Sequence, residues 1–413
     1  MNEPPIPLGA LQTRLREVTE TLITDLALPS STTPGWSESQ WRLARAAAAI
    51  HGISPLLARA SRWQGPSGWH QFINEQRSHT EQRHVRIRDL LGRLDEAART
   101  AGIALLALKG AALHELEIYR PGERPMADVD LLVQADIAAR AARMLEQLGF
   151  HLSHTNWKHQ VFVTELRPKN VLGENAANGM KIELHQRIAE ALPRRAVDIS
   201  VCLSSNSATP GLNYYPSRAA LMLHLLLHAA GSMVFRALRC INLIDIARLS
   251  ASMSARDWDE LLALESRLDE PIWWAYPPLA TTARYYPAVI PKDVLSATSH
   301  RCQWLLKRTT RRRSACDSSL CYLPITAFPG IEWARSPREM LEYVYNRLIP
   351  DAQIRSLRES QATTEPAAAN STWSYTSQTR RIARWLISRP ARAESLFPIQ
   401  VALGQLPAHP PLD

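Results

Sequence analysis

The sequence predicts an α+β fold in which a small mixed β-sheet core is flanked by N- and C-terminal helical regions. Helical apolar periodicity on both flanks points there, as do the short apolar runs between turn signals over residues 101–200 and their order β-α-β-α-β-β.

From Leu8 to about Arg99 the pattern is helical, broken by the Pro, Ser and Gly residues of Pro29–Gly35. Ile103–Leu108 is a short apolar run closed by Lys109-Gly110, and a helical pattern then runs from Ala111 to about Ile118, so strand, tight turn and helix are predicted. After a loop marked by Pro121, Gly122 and Pro125, Val129–Val133 predicts a buried strand. Ile137–Leu148 predicts a helix ended by Gly149. Strands are expected at Gln160–Leu166 and Lys181–His185, separated by a Gly/Asn-rich turn over Lys169–Gly179. Helices resume at Ala219–His228, Arg239–Leu249 and Asp257–Leu268, followed by a Trp/Tyr-rich stretch, Ile272–Tyr286, in which Trp273 and Trp274 are expected to pack in the core. The expected division is a helical region over 1–100, the sheet core over 101–200, a helical domain over 215–350 and a partly disordered tail over 351–413, rich in Ser, Thr, Ala and Pro.

At 413 residues with 46% hydrophobic content the chain is able to bury a large core. Its five cysteines have neither Cys-x-x-Cys spacing nor disulfide-scaffold density, so reduced thiols and a cytoplasmic location are expected. The start lacks a basic cluster followed by an apolar run, and Ala219–Phe235, interrupted by His224, His228 and Gly231, is too short for a membrane span. A net charge of +9 permits an anionic partner. The densest basic run, Lys307–Arg313, lacks interleaved aromatic residues and is read as a solvated loop or helix end.

The chemistry concentrates in Asp128-Val129-Asp130. Strand alternation sends both carboxylates to one face, where like charges resist ionisation unless a cation lies between them. Hard oxygen ligands favour magnesium or manganese, and magnesium typically shares such a site with phosphate oxygens. Glu183, flanked by Ile182 and Leu184, is the expected third acid, placed also to assist deprotonation of an acceptor. Lys109 and Gly110 are expected to bind phosphate, through an ammonium and a close backbone approach.

The segment LALKGAALHELEIYRPGERPMADVDLLV resembles a bacterial nucleotidyltransferase family of unassigned substrate within the polymerase-β-like superfamily. The matching residues are Lys109, Gly110, Tyr119, Arg124, Asp128 and Asp130, then His159 and Glu183-Leu184-His185, with weaker echoes at His228, Arg239 and Asp245. Where the superfamily usually has Gly-Ser at its phosphate turn, Ala111 follows Gly110 here. The resemblance implies Asp128, Asp130 and Glu183 as catalytic and metal-holding residues, with Lys109, Gly110, Arg124 and His185 at the nucleotide. Arg124 has a second reading as a loop ion pair with Asp128 or Glu123, and His185 has two, as a residue that orients the acid and as a satisfied core histidine.

The expected activity is magnesium- or manganese-dependent transfer of a nucleoside monophosphate from a nucleoside triphosphate to a hydroxyl or phosphate of an unidentified small molecule, peptide or RNA. A non-catalytic nucleotide-binding or complex-forming protein of the same fold and a tRNA-modifying, toxin-like enzyme are the alternatives. His224 and His228 are spaced for zinc, but no third ligand is evident, so polar contacts within a buried helix are expected.

Overall fold

Helix signals in the first hundred residues act as the sequence indicates. The structure, a computed structural model, describes residues 6–164, 172–192, 195–203, 209–349, 382–383, 387 and 391–406. It begins with α1 (Leu8–Ala27), α2 (Glu38–Ile50), α3 (Ser54–Ala60) and α4 (Ser67–Ala101). The Pro29–Gly35 break separates α1 from α2, and α2 starts with a reciprocal cap between Ser37 and Gln40. Gly102, at φ +63°, terminates α4 in the left-handed region that glycine adopts without steric penalty.

The sheet region follows as β1 (Ala104–Ala107), α5 (Lys109–Glu115), β2 (Val129–Leu132), α6 (Ala138–Gln147), β3 (His151–Thr155), β4 (His159–Val163), β5 (Lys181–His185), β6 (Ala189–Leu192), β7 (Arg195–Asp198), α7 (Ser200–Leu203) and β8 (Gly211–Asn213). Six strands pair in the order β3-β4-β5-β2-β1-β8, and β6 and β7 form a separate hairpin. The larger sheet is mixed: β2 runs parallel to β5 and β1 to β8, while the remaining pairs are antiparallel. With helices on both flanks, the fold is α+β.

Four of these strands, β3, β6, β7 and β8, were not among the elements the sequence pattern predicts. All five residues of β3 are exposed at the sheet edge, so no apolar alternation marks it. β8 has only three residues and is recruited by pairing with β1. The helix expected over 111–118 instead occupies Lys109–Glu115, because Glu117 turns left-handed at φ +52°. The strand predicted over 160–166 is observed as His159–Val163, and its last two predicted positions lie outside the described residues.

Beyond the sheet come α8 (Arg218–Val234), α9 (Cys240–Ser252), α10 (Ala255–Ala263), α11 (Tyr276–Tyr285), α12 (Lys292–Arg301), α13 (Trp304–Arg312), α14 (Pro337–Leu348) and α15 (Ala393–Ala402). Within the predicted tail, α15 packs on α2; most of the remaining tail lies outside the described residues. Lys307–Arg312 falls on the last turns of α13, and Arg313, which follows, pairs with Glu332. Trp273 and Trp274 are buried as expected. All five cysteines are buried and free, and no helix among the described residues is long and apolar enough to cross a membrane.

Two cores hold the sheet. Val129, Leu131, Ile182, Leu184 and Phe162 pack from one face against Ile87, Leu90 and Leu94 of α4 and Met144 and Leu145 of α6. Leu106 and Leu132, of opposite parity, join a larger core that includes α1, α2, α8 and α9. Each fully buried Leu or Ile stabilises by roughly 1.5–3 kcal/mol, so this face preference sets strand register firmly. The same alternation leaves Asp130 and Glu183 on the face opposite Val129 and Ile182.

Candidate active site

β2 and β5 pair so that Asp130 lies directly opposite Glu183 and Leu132 opposite His185. On the next strand, β4, His159 lies opposite His185. Side chains opposite one another share a face, and Asp128, two residues before Asp130, has the same parity. The face therefore gathers Asp128, Asp130, Glu183, His185 and His159.

Charge is distributed unevenly among them. Lys109 Nζ is 3.0 Å from Asp130 Oδ1, and His185 Nε2 is also 3.0 Å from that oxygen. Lys181 bridges the other two acids: its ammonium pairs with Glu183 Oε1 and lies 3.3 Å from Asp128 Oδ2. His159 Nε2 is 3.3 Å from Glu183 Oε2. Donor atoms of His159, Glu183 and His185 all lie within 4.8 Å of one another. Three carboxylates thus meet two ammonium groups.

Burial favours the neutral form of Asp130, but Lys109 and His185 outweigh it and hold the carboxyl well below the usual range. Glu183 is pushed up, first by burial and then by the negative charges of Asp128 and Asp130. Burial opposes the charge on Lys109 and Lys181, yet the surrounding acids hold both ammonium groups above their ordinary range. His159 is lowered to about 3, chiefly by burial and then by His185. Its ring is neutral near neutral pH.

The turn carrying Lys109 is built differently from the sequence expectation. Lys109 itself is left-handed, at φ +43°, whereas Gly110 sits where a Cβ would come within 2.4 Å of Met126 Sδ and 2.5 Å of Arg124 Nη1. The glycine is needed for this close packing, and the strain is carried by the lysine. The Lys109 N–H donates to the Tyr215 hydroxyl at 3.2 Å, and that hydroxyl shares a 2.6 Å hydrogen bond with His224 Nδ1.

Arg124 forms a two-pronged ion pair with Asp245, with Nε and Nη2 each 2.8 Å from a carboxylate oxygen, and the Tyr119 hydroxyl donates to the same carboxylate at 2.7 Å. Its partner is therefore Asp245 on α9 in place of the neighbouring Asp128 or Glu123, and Nη1 stays against Gly110. Tyr119 is buried, packing beneath the loop.

The sequence reading did not single out Lys181, Tyr215, Lys158 or Glu190. Lys181 shares the parity of Glu183 in the same strand, a signal that was available. Lys158 pairs with Glu190, and Glu190 lies 3.7 Å from His228, but these three residues come from separate elements and no sequence spacing connects them.

Among curated proteins and among solved structures, no similar protein was found. A family model described as an uncharacterised nucleotidyltransferase matches residues 37–272, more than half of the chain and inclusive of every residue of the acidic cluster. The chain belongs to this uncharacterised nucleotidyltransferase family.

Proposed function

We propose that the protein transfers a nucleoside monophosphate from a nucleoside triphosphate to a hydroxyl or phosphate acceptor, using a polymerase-β-like core over about residues 101–200. The acceptor oxygen forms a bond to the α-phosphorus while the bond to the departing pyrophosphate breaks. One observation carries this reading: Asp128, Asp130 and Glu183 share one sheet face, with Lys109 and Lys181 among them. The helical regions over 1–100 and 215–350 would form the walls of the acceptor site.

Magnesium or manganese fits this donor set, because carboxylate oxygens suit a hard cation, and burial together with the neighbouring acids, which raise Glu183, is offset by added positive charge. Asp128, Asp130 and Glu183 would hold the ion. When bound, it supplies charge neutralisation at the triphosphate and its leaving group.

The protein's own groups do the positioning. Asp130 fixes Lys109 so that its ammonium lies beside the incoming phosphates, and His185 orients Asp130 from the other side. Arg124 Nη1, held against Gly110 by the Asp245 pair, adds a donor at the same turn. Lys181, about a third exposed, is able to swing from Asp128 to a phosphate oxygen.

Incubation with each labelled triphosphate and magnesium chloride, with and without cell extract, tests the reading. Label is expected to enter a product with the wild type and not with Asp128→Asn/Asp130→Asn. Equal labelling by both proteins overturns it. Nucleotide binding without any labelled product favours the non-catalytic alternative.

A further inference from the structure

A second polar group, which the proposed chemistry has not used, lies near enough for Lys109 and Asp130 to act on its histidine electrostatically. It comprises His228 of α8, Glu190 of β6 and Lys158, just before β4. Lys158 pairs with Glu190 Oε2, and His228 Nδ1 lies 3.7 Å from Glu190 Oε1. The Glu190 carboxyl is pulled down to about 2: burial opposes this, but His228 and Lys158 prevail. It is therefore a fixed negative charge behind the imidazole.

Two further observations bear on this group, the first of which connects its helix to the site. His224, one helical turn before His228, is linked through Tyr215 to the backbone of Lys109. Gly231, nearly one turn after His228, is where a Cβ would come within 2.6 Å of Glu190 Oε2, so the missing side chain provides the slot that holds the carboxylate against the helix. Glu190 is 14% exposed, whereas His228 is 32% exposed. The imidazole thus has an accessible edge and a carboxylate 3.7 Å from Nδ1, beyond hydrogen-bond distance but near enough for its charge to orient the ring.

We infer that His228, oriented by Glu190, is the base that takes the proton from the acceptor hydroxyl. The inference rests on the nucleotidyl-transfer reading. The O–H proton passes to His228 Nε2, the freed oxygen pair bonds to the α-phosphorus, and the α–β bridging oxygen leaves with pyrophosphate. The reacting group of the acceptor is accordingly a hydroxyl, because a fully ionised phosphate has no proton to give up. Glu183 is a poorer base: its oxygens face Lys181 and His159 and are assigned to the cation. The groups whose charges act on His228 are Lys109 on α5, Glu190 on β6 and Asp130 on β2, with His224 on its own helix. Burial and Lys109 lower its pKa, leaving the ring neutral and ready to accept.

The test combines nucleotide binding with transfer, using the full chain. Binding of an α,β-methylene triphosphate with magnesium chloride is measured by calorimetry, and transfer is measured as pyrophosphate release in the presence of the acceptor-containing extract fraction. His228→Gln is expected to bind the analogue within about threefold of wild type while transfer falls about 100-fold or more. The acid limb of the kcat profile should disappear, and imidazole should restore part of the rate to His228→Ala. Glu190→Gln and Gly231→Ala, which leave the imidazole in place, should retain analogue binding and lower kcat by about tenfold or more. Wild-type transfer with His228→Gln within threefold of it overturns the base role alone, as does loss of analogue binding in parallel with rate. Wild-type protein that neither binds the analogue nor releases pyrophosphate overturns the transfer reading itself, and the base role falls with it.

Discussion

Lys109 and Asp130 form a nearly closed ion pair, 3.0 Å apart with side chains 17% and 8% exposed, between a left-handed turn and the central strand of the site. Removal of either partner leaves a charge where water reaches it poorly. Lys109→Met should therefore destabilise by about 3 kcal/mol, while Lys109→Met/Asp130→Leu should recover much of that loss. Urea unfolding of the two single variants and the double variant measures the coupling. Additive losses would show that the pair is not an energetic unit.

The Arg124–Asp245–Tyr119 group supports the same turn from behind. Asp245 is 1% exposed, and Asp245→Ala would leave a buried guanidinium and a buried hydroxyl without their acceptor. The expected loss is about 3–5 kcal/mol, whereas Tyr119→Phe removes one hydrogen bond and should cost about 1 kcal/mol. Thermal denaturation ranks them. A Tyr119→Phe loss as large as that of Asp245→Ala would contradict this picture.

At Gly110 the limitation is space. A methyl group there meets Met126 Sδ and Arg124 Nη1 at 2.4 and 2.5 Å, so Gly110→Ala should destabilise by about 1–3 kcal/mol through overpacking. Gly110→Ala/Met126→Ala, which reopens the volume on one side, should be less impaired in triphosphate binding than Gly110→Ala. Equal binding by Gly110→Ala and wild type would remove the packing argument.

Lys181 supplies the positive charge between Asp128 and Glu183. A divalent cation must compete with it, so Lys181→Met should bind manganese about tenfold more tightly than wild type, read by calorimetry with manganese chloride. Weaker binding by the variant would mean that the lysine assists the ion instead of competing with it.

Acid should unfold the protein early. Burial lowers His51 to about 3 and, with Arg124 assisting, His114 to about 4. Below a pH of about 6.5 the unfolded chain protonates these rings while the folded chain does not, so the stability contribution is complete above that value and declines as pH falls toward the folded values. At pH about 5 each ring costs about 2 kcal/mol. Urea midpoints at the two sides of this window should differ clearly; equal midpoints would refute the linkage.

Much of this arrangement was readable from residue order. Strand parity alone placed Asp128, Asp130 and Glu183 on a common face, because Val129, Leu131, Ile182 and Leu184 had to enter the opposite core. The helices up to about residue 268 were marked by apolar periodicity, whereas α12 (Lys292–Arg301) and α14 (Pro337–Leu348) were not anticipated. By contrast, β3 carries no buried residue and β8 is defined by its partner, so neither leaves a local pattern. Arg124 was ambiguous because its partner Asp245 lies more than a hundred positions along the chain. The i, i+4 spacing of His224 and His228 was visible, but Glu190, which gives His228 its setting, sits on a hairpin without a sequence signal.

Pairing Asp130 with Glu183 across parallel neighbours has an evolutionary corollary. A deletion or insertion of one residue within β5 would turn Glu183 toward α4 and α6 and bring an aliphatic side chain into the acidic face. Change within the strands is thus confined to substitutions that keep each face's character, and strand length is fixed. Innovation in what the protein acts upon must enter through the connecting loops and the enclosing helices.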